Sequence, residues 1–198
     1  MESTQTQSHA PAALSFHEER RDQRVFGMWL FLASEVMFFT AFFAAYIVIR
    51  SASRGSIVQP LDKVMGAINT TVLITSSLTM ALAVLASKKG NRQHLMNWLA
   101  VTFVLACMFL VIKFFEYSAH FREGVFPSTD IFHSFYFLVT GFHGLHVVGG
   151  MIAIAVLWNR ARKGDFNTEY NDPIEICGLY WHFVDLVWIF LYPALYLI

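Results

Sequence analysis

The chain has 198 residues, of which 56% are hydrophobic and 14% charged, with 14 basic and 14 acidic side chains that cancel to a formal charge of zero. A soluble domain needs more polar side chains to clothe its surface, so this composition belongs in lipid, and the balanced charge supplies no field for a nucleic-acid partner. Two cysteines, Cys107 and Cys177, sit in apolar runs without CxxC or Cys/His spacing; this argues against disulfides, zinc, iron–sulfur clusters and attached haem, and leaves both as small hydrophobes.

In chain order, residues 1–24 form a polar tail without the charged, apolar and small-residue succession of a signal peptide, so the first span must serve as its own insertion signal. The tail is expected to be disordered to about Ser15, where Ser15-Phe16-His17-Glu18 has capping-box spacing and begins a short interfacial helix. Apolar runs long enough to cross a bilayer follow at 25–49, 64–87, 95–117, 131–158 and 173–198. Charged or turn-forming stretches separate them: Arg50 to Ser56, Lys88-Lys89-Gly90-Asn91-Arg92, Arg122 to Pro127 and Arg160 to Asp165. The fold expected is all-α, a polytopic bundle of five transmembrane helices forming one domain over 25–198, with no internal repeat.

Nine of the 14 basic residues (Arg20, Arg21, Arg24, Lys88, Lys89, Arg92, Arg160, Arg162 and Lys163) fall on the amino-terminal tail, the second connection and the fourth. The positive-inside rule then puts the amino terminus in the cytoplasm and the carboxyl terminus outside. Small residues predict close packing at Ala67, Thr70, Thr71, Ser76 and Ser77 in the second span and at Gly141, Gly144, Gly149 and Gly150 in the fourth, which is expected to be central. The many Phe and Trp residues are expected to face lipid or neighbouring helices.

Several ionisable groups lie at bilayer depth. Glu35 is about ten residues, or roughly 15 Å, into the first span, where a lone carboxylate costs at least about 2.5–3.5 kcal/mol and so must be neutral, paired or facing a cavity. Either a packing role or a role in proton, ion or lipid handling fits it. His143 and His146 are three residues apart on one helix face, and His182 and Asp185 repeat that spacing in the last span. At similar depth to Glu35, these four predict an inter-helix polar network in which the histidines are satisfied by hydrogen bonds. A metal site is disfavoured, because each histidine face has only one carboxylate beside it. Lys113 and Glu116, also three apart, read as a snorkelling pair near the outer end of the third span, and Tyr192-Pro193 should kink the last one.

These groups admit a proton-coupled transporter or a membrane metalloenzyme as well as a packing scaffold, although the odd number of spans and the lack of an inverted repeat weigh against a transporter. A further signal comes from five segments in order: Gly27-Met28-Trp29-Leu30-Phe31-Leu32-Ala33-Ser34-Glu35-Val36-Met37-Phe38-Phe39; Asn69-Thr70 followed by Ser76-Ser77; Phe115-Glu116-Tyr117; Thr140-Gly141-Phe142-His143-Gly144-Leu145-His146-Val147; and Tyr180-Trp181-His182-Phe183-Val184-Asp185-Leu186-Val187-Trp188. In them the chain resembles subunit III of the haem–copper respiratory oxidases, the cytochrome c and quinol oxidases.

The resemblance implies an accessory, non-catalytic bundle beside the catalytic subunit I, in a complex with subunit II and further subunits, in a bacterial plasma membrane. Haem and copper would reside in those partners and none in this chain. The family role is to hold phospholipid in a cleft, support proton uptake at the cytoplasmic mouth of subunit I, preserve the enzyme during turnover and guide oxygen through the lipid. By the same resemblance Glu35 matches a buried glutamate facing subunit I and the lipid cleft, and Arg160 an arginine that binds phospholipid headgroups. The chain departs from the mitochondrial type in lacking the two helices that normally precede the Glu-bearing one, as in the short bacterial form, so contacts made by those helices, and any role for His9 or His17 in proton collection, are not carried over. Short relatives also accompany nitric oxide reductases; Ser34-Glu35 and the intact Trp181-His182-Phe183-Val184-Asp185 favour an oxygen-reducing complex.

Overall fold

The structure is a computed structural model and describes residues 10–52, 63–124, 126, 131–166 and 172–197. His9 and the separator residues 53–56, Val125 and Pro127 lie outside the described residues. The elements are α1 (Ala10–Ala52), α2 (Lys63–Lys88), α3 (Arg92–Arg122), α4 (Ile131–Lys163) and α5 (Asp172–Tyr192), followed by a π-helical turn at Pro193–Leu197. Five helices among the described residues are long and apolar enough to cross a membrane. Helix is the conformation these sequences must take in lipid, because it alone satisfies every backbone N–H and C=O within one segment.

Two boundaries differ from the sequence expectation. No separate interfacial helix begins at Ser15; α1 runs unbroken for 43 residues from Ala10. That is about 65 Å at 1.5 Å per residue, well beyond the hydrocarbon core, so its first turns project past the membrane. At the other end, Pro193 has no N–H to give and the α-helical pattern stops at Tyr192, the chain continuing as a wider turn.

Tight connections fix neighbouring helices. Between α2 and α3, Gly90 takes a φ of +66°, open to glycine at no steric cost, and the Asn91 side chain accepts a hydrogen bond from the His94 N–H at 3.2 Å. Arg92 then reaches across to α4, donating to the carbonyls of Ala161, at 2.8 Å, and Arg162, so that it closes the carboxyl end of that helix.

Helices α2 to α5 enclose the core, in which Met80, Leu99, Phe109, Tyr136, Trp181 and Trp188 are fully buried. Among the described residues, helix α1 packs mainly along α4 and α5 and leaves most of its surface open. Close packing depends on three glycines. A Cβ on Gly150 would stand 2.7 Å from the Trp181 ring, one on Gly66 2.7 Å from Tyr192, and one on Gly178 2.9 Å from Val84. Gly141 and Gly144, expected to pack tightly, have no side chain within 4 Å of where a Cβ would be. Only Gly150 of the α4 glycines lies where a bulky indole crosses the helix.

One end of the bundle gathers the amino-terminal part of the α1 span, the α2–α3 turn and the start of α5. There Arg21 pairs with Asp172 and Glu175, each at 3.4 Å, Arg24 with Asp172 at 3.9 Å and Lys88 with Glu175 at 3.0 Å. Both acidic residues sit in the first turn of α5, where carboxylates also complement the helix dipole.

Candidate functional site

Because α1 stands away from the core along part of its length, a cleft of about 800 Å³ opens between α1, α4 and α5. Met28 and Phe31 of α1 face Ala153 of α4 and Ile176 and Tyr180 of α5 across it, and Arg24 is the charged residue in its lining. An apolar trough with a cation toward the charged end of the bundle has the polarity of an amphiphile site: chains against the walls, an anionic head at the arginine.

Deeper along α1, the Glu35 carboxylate lies 3.1 Å from Nε2 of His146 on α4. The other ring nitrogen, Nδ1, is 2.8 Å from the Phe142 carbonyl, which assigns it the proton when the ring is neutral. Tyr180 donates to the backbone carbonyl of His146 at 3.0 Å, and Phe39 stands edge-on to the imidazole. The pair therefore ties α1 to α4 while Tyr180, which also lines the cleft, ties α5 to the same turn.

The single network expected from Glu35, His143, His146, His182 and Asp185 is divided. A three-residue step advances about 300° around a helix, so His146 turns toward α1 while His143 turns into the core. There its ring packs 5.1 Å from Trp188 and 5.8 Å from Phe109, with no hydrogen-bond partner on either nitrogen. His182 pairs with Ser77 of α2 at 2.7 Å, and Asp185, buried one turn further along α5, turns toward the same Ser77 hydroxyl. Hydrogen bonding thus satisfies His146 and His182 but not His143. Among the described residues no three His, Cys, Asp or Glu side chains converge as a metal would require.

Lys113 and Glu116 do pair, at 2.9 Å, but they do not snorkel: their side chains are 9% and 4% exposed. The ammonium also donates to Tyr136 at 3.4 Å and Tyr196 at 2.6 Å and lies 4.7 Å above the Trp188 ring. Glu116 accepts from both tyrosine hydroxyls. Partners on two other segments hold the pair inside, since a charge with three hydrogen-bonding partners need not reach the interface. Tyr136 and Tyr196 were not singled out from sequence; a tyrosine inside an apolar span is the signal that points to them. Arg24 and Tyr180, which line the cleft, were read only as part of longer patterns. Arg160, at the last turn of α4, pairs with Asp165 at 3.4 Å and covers the Phe166 ring.

The family described as cytochrome c oxidase subunit III matches residues 15–198. Among curated proteins, the chain is 33% identical over 197 residues to cytochrome c oxidase subunit 3 of Synechocystis, covering 96% of this chain and 82% of that one. It is 35% identical over 193 residues to cytochrome c oxidase subunit 3 of Alkalihalophilus pseudofirmus, covering 93% of each. The cytochrome bo(3) ubiquinol oxidase subunit 3 of Pseudomonas aeruginosa is 33% identical over 177 residues, covering 87% of this chain and 84% of that one. With the five motif segments distributed over five membrane-length helices, these matches place the chain in the cytochrome c oxidase subunit III family of the haem–copper oxidases.

Proposed function

We propose that the chain serves as the accessory, non-catalytic subunit III of a proton-pumping haem–copper terminal oxidase in a bacterial plasma membrane, with its amino terminus in the cytoplasm. The observation that carries the reading is the apolar cleft between α1 and the α4–α5 pair, with Arg24 in its lining and the Glu35–His146 pair further along α1. In this role it seats phospholipid in the cleft, with Arg160 as a second headgroup contact at the same end of the bundle. The Glu35 face lies toward subunit I, where it supports proton uptake and stability during turnover, and subunit II and further subunits complete the assembly. Haem and copper belong to those partners.

Clustering of the basic residues supports the orientation: Arg21, Arg24, Lys88 and Arg92 meet the α4–α5 end of the bundle in space as well as by loop count. The test is purification of a tagged copy in mild detergent. The expected preparation contains the haem- and copper-bearing oxidase subunit, shows its optical spectrum and retains phospholipid. Isolation of the chain without any haem–copper protein would overturn the reading, and a tag on the carboxyl end that is accessible from the cytoplasm would overturn the orientation.

A further inference from the structure

The mouth of the cleft, at the charged end of the bundle, carries a linked set of ion pairs. Arg21 meets Asp172 and Glu175, each at 3.4 Å, Arg24 meets Asp172 at 3.9 Å, and Lys88 meets Glu175 at 3.0 Å. Of these five residues Arg24 lines the cleft itself, and Pro173, the neighbour of Asp172, lines it on the α5 side.

The pairs are unequal. At 3.9 Å the Arg24–Asp172 contact is too long for a hydrogen bond and holds by charge alone. The Arg24 side chain is 39% exposed, and an ion pair open to solvent contributes little. Its Nε donates to the Arg20 carbonyl at 3.1 Å, one turn back on α1, which directs the guanidinium and leaves its two terminal nitrogens to face an incoming acceptor.

Asp172 does not depend on Arg24. Arg21 lies closer to it, and Glu175 has both Arg21 and Lys88. When Arg24 turns to another anion, Asp172 keeps Arg21 and Glu175 keeps Lys88, so no charge is stranded at the start of α5. Three cations against two carboxylates leave one positive charge in the set, which is what a phosphodiester, with one negative charge, balances.

We propose that the Arg24–Asp172 pair is an exchangeable latch at the cleft mouth, released when a monoanionic phosphodiester headgroup takes Arg24, and that Asp172 thereby sets both the class of headgroup admitted and the ease with which lipid leaves. This rests on the reading of the cleft as a phospholipid seat. A phosphate accepts two parallel hydrogen bonds from a guanidinium, a stronger contact than charge attraction across 3.9 Å, while in the unloaded cleft Asp172 remains beside the cation. A zwitterionic headgroup leaves the excess charge of the set unbalanced. A phosphomonoester, as a dianion, brings one charge more than the set balances.

The test is lipid exchange on the intact complex. Parent, Asp172→Asn and Arg24→Ala complexes are incubated in mixed micelles of phosphatidylglycerol, phosphatidylethanolamine and phosphatidic acid at about pH 8, where the phosphomonoester is a dianion, and retained lipid is followed over time by mass spectrometry. The lipid lost in Arg24→Ala reports the occupant of this site, and phosphatidylglycerol is expected to dominate it. Asp172→Asn keeps the side-chain shape but raises the excess charge by one, so it should slow release several-fold and admit phosphatidic acid. Release as fast as in the parent, or phosphatidylethanolamine as the main occupant, would overturn the latch. An Arg24→Ala complex with the full lipid content of the parent would instead overturn the phospholipid reading of the cleft, and the latch with it. If Asp172→Asn does not assemble, Glu175→Gln makes the same change in charge and is judged by the same two outcomes.

Discussion

Glu35 and His146, 111 residues apart in the chain, meet at 3.1 Å inside the membrane-spanning region, and both side chains remain 18% exposed. This contact ties α1 to α4 at depth, whereas the Arg21 and Arg24 ion pairs join α1 to α5 at the end of the bundle. It leaves the carboxyl group close enough to the surface of the bundle for a neighbouring subunit or lipid to sense it.

Replacing Glu35 by Gln should preserve assembly, because the amide can still hydrogen-bond to the imidazole. Glu35→Leu should remove about 0.6–1.7 kcal/mol of α1 docking, the range for polar contacts between helices in lipid. Retention of the subunit on the complex during chromatography in increasing detergent measures the difference. Equal behaviour of the two variants would show that the contact does not hold α1.

The buried Lys113–Glu116 pair predicts a non-additive result. Lys113→Met or Glu116→Leu alone strands the other charge among Tyr136, Tyr196 and Trp188 and should cost about 3–5 kcal/mol, whereas the double substitution should recover a large part of that. Thermal dissociation of the complex, followed by loss of this subunit, reads it out. Single variants as stable as the parent would mean that the pair is not charged in the folded protein.

Glycine substitutions in α4 should separate by position. In Gly150→Ala the new methyl meets the Trp181 ring at 2.7 Å, and overpacking of this kind costs about 1–3 kcal/mol. Gly144→Ala meets nothing within 4 Å and should change stability by no more than about 0.5 kcal/mol. The comparison is made on the yield and thermal stability of the isolated complexes. Sensitivity at Gly144 would locate a partner subunit against that face of α4.

For the cleft, Arg24→Ala should reduce the anionic phospholipid that copurifies with the complex, since this guanidinium is the charged group in the lining. Arg160→Ala should also lose lipid and inactivate faster during turnover. Mass spectrometry of bound lipid checks both, and lipid content unchanged in either variant would remove that arginine from the headgroup site.

The number of spans, their all-helical character and the family were legible from the sequence because each is a property of local pattern: twenty or so apolar residues force a helix in lipid, and motif segments retain their order. Of the i, i+3 spacings, the one between Lys113 and Glu116 brings its two residues into direct contact. Spacing misled where it was asked for direction. His143 and His146 share a turn, yet diverge by enough to serve different neighbours, one facing Trp188 and the other Glu35.

Sequence by itself determined that the protein is a five-helix membrane bundle of the subunit III type, since hydrophobicity and motif order need no knowledge of which helix touches which. The tertiary structure decided that Glu35 meets His146, that Lys113 stays inside and that a cleft separates α1 from α4 and α5. Partners in these contacts lie up to 111 residues apart, and burial of a charge depends on hydroxyls and rings brought by other helices, which no local pattern contains.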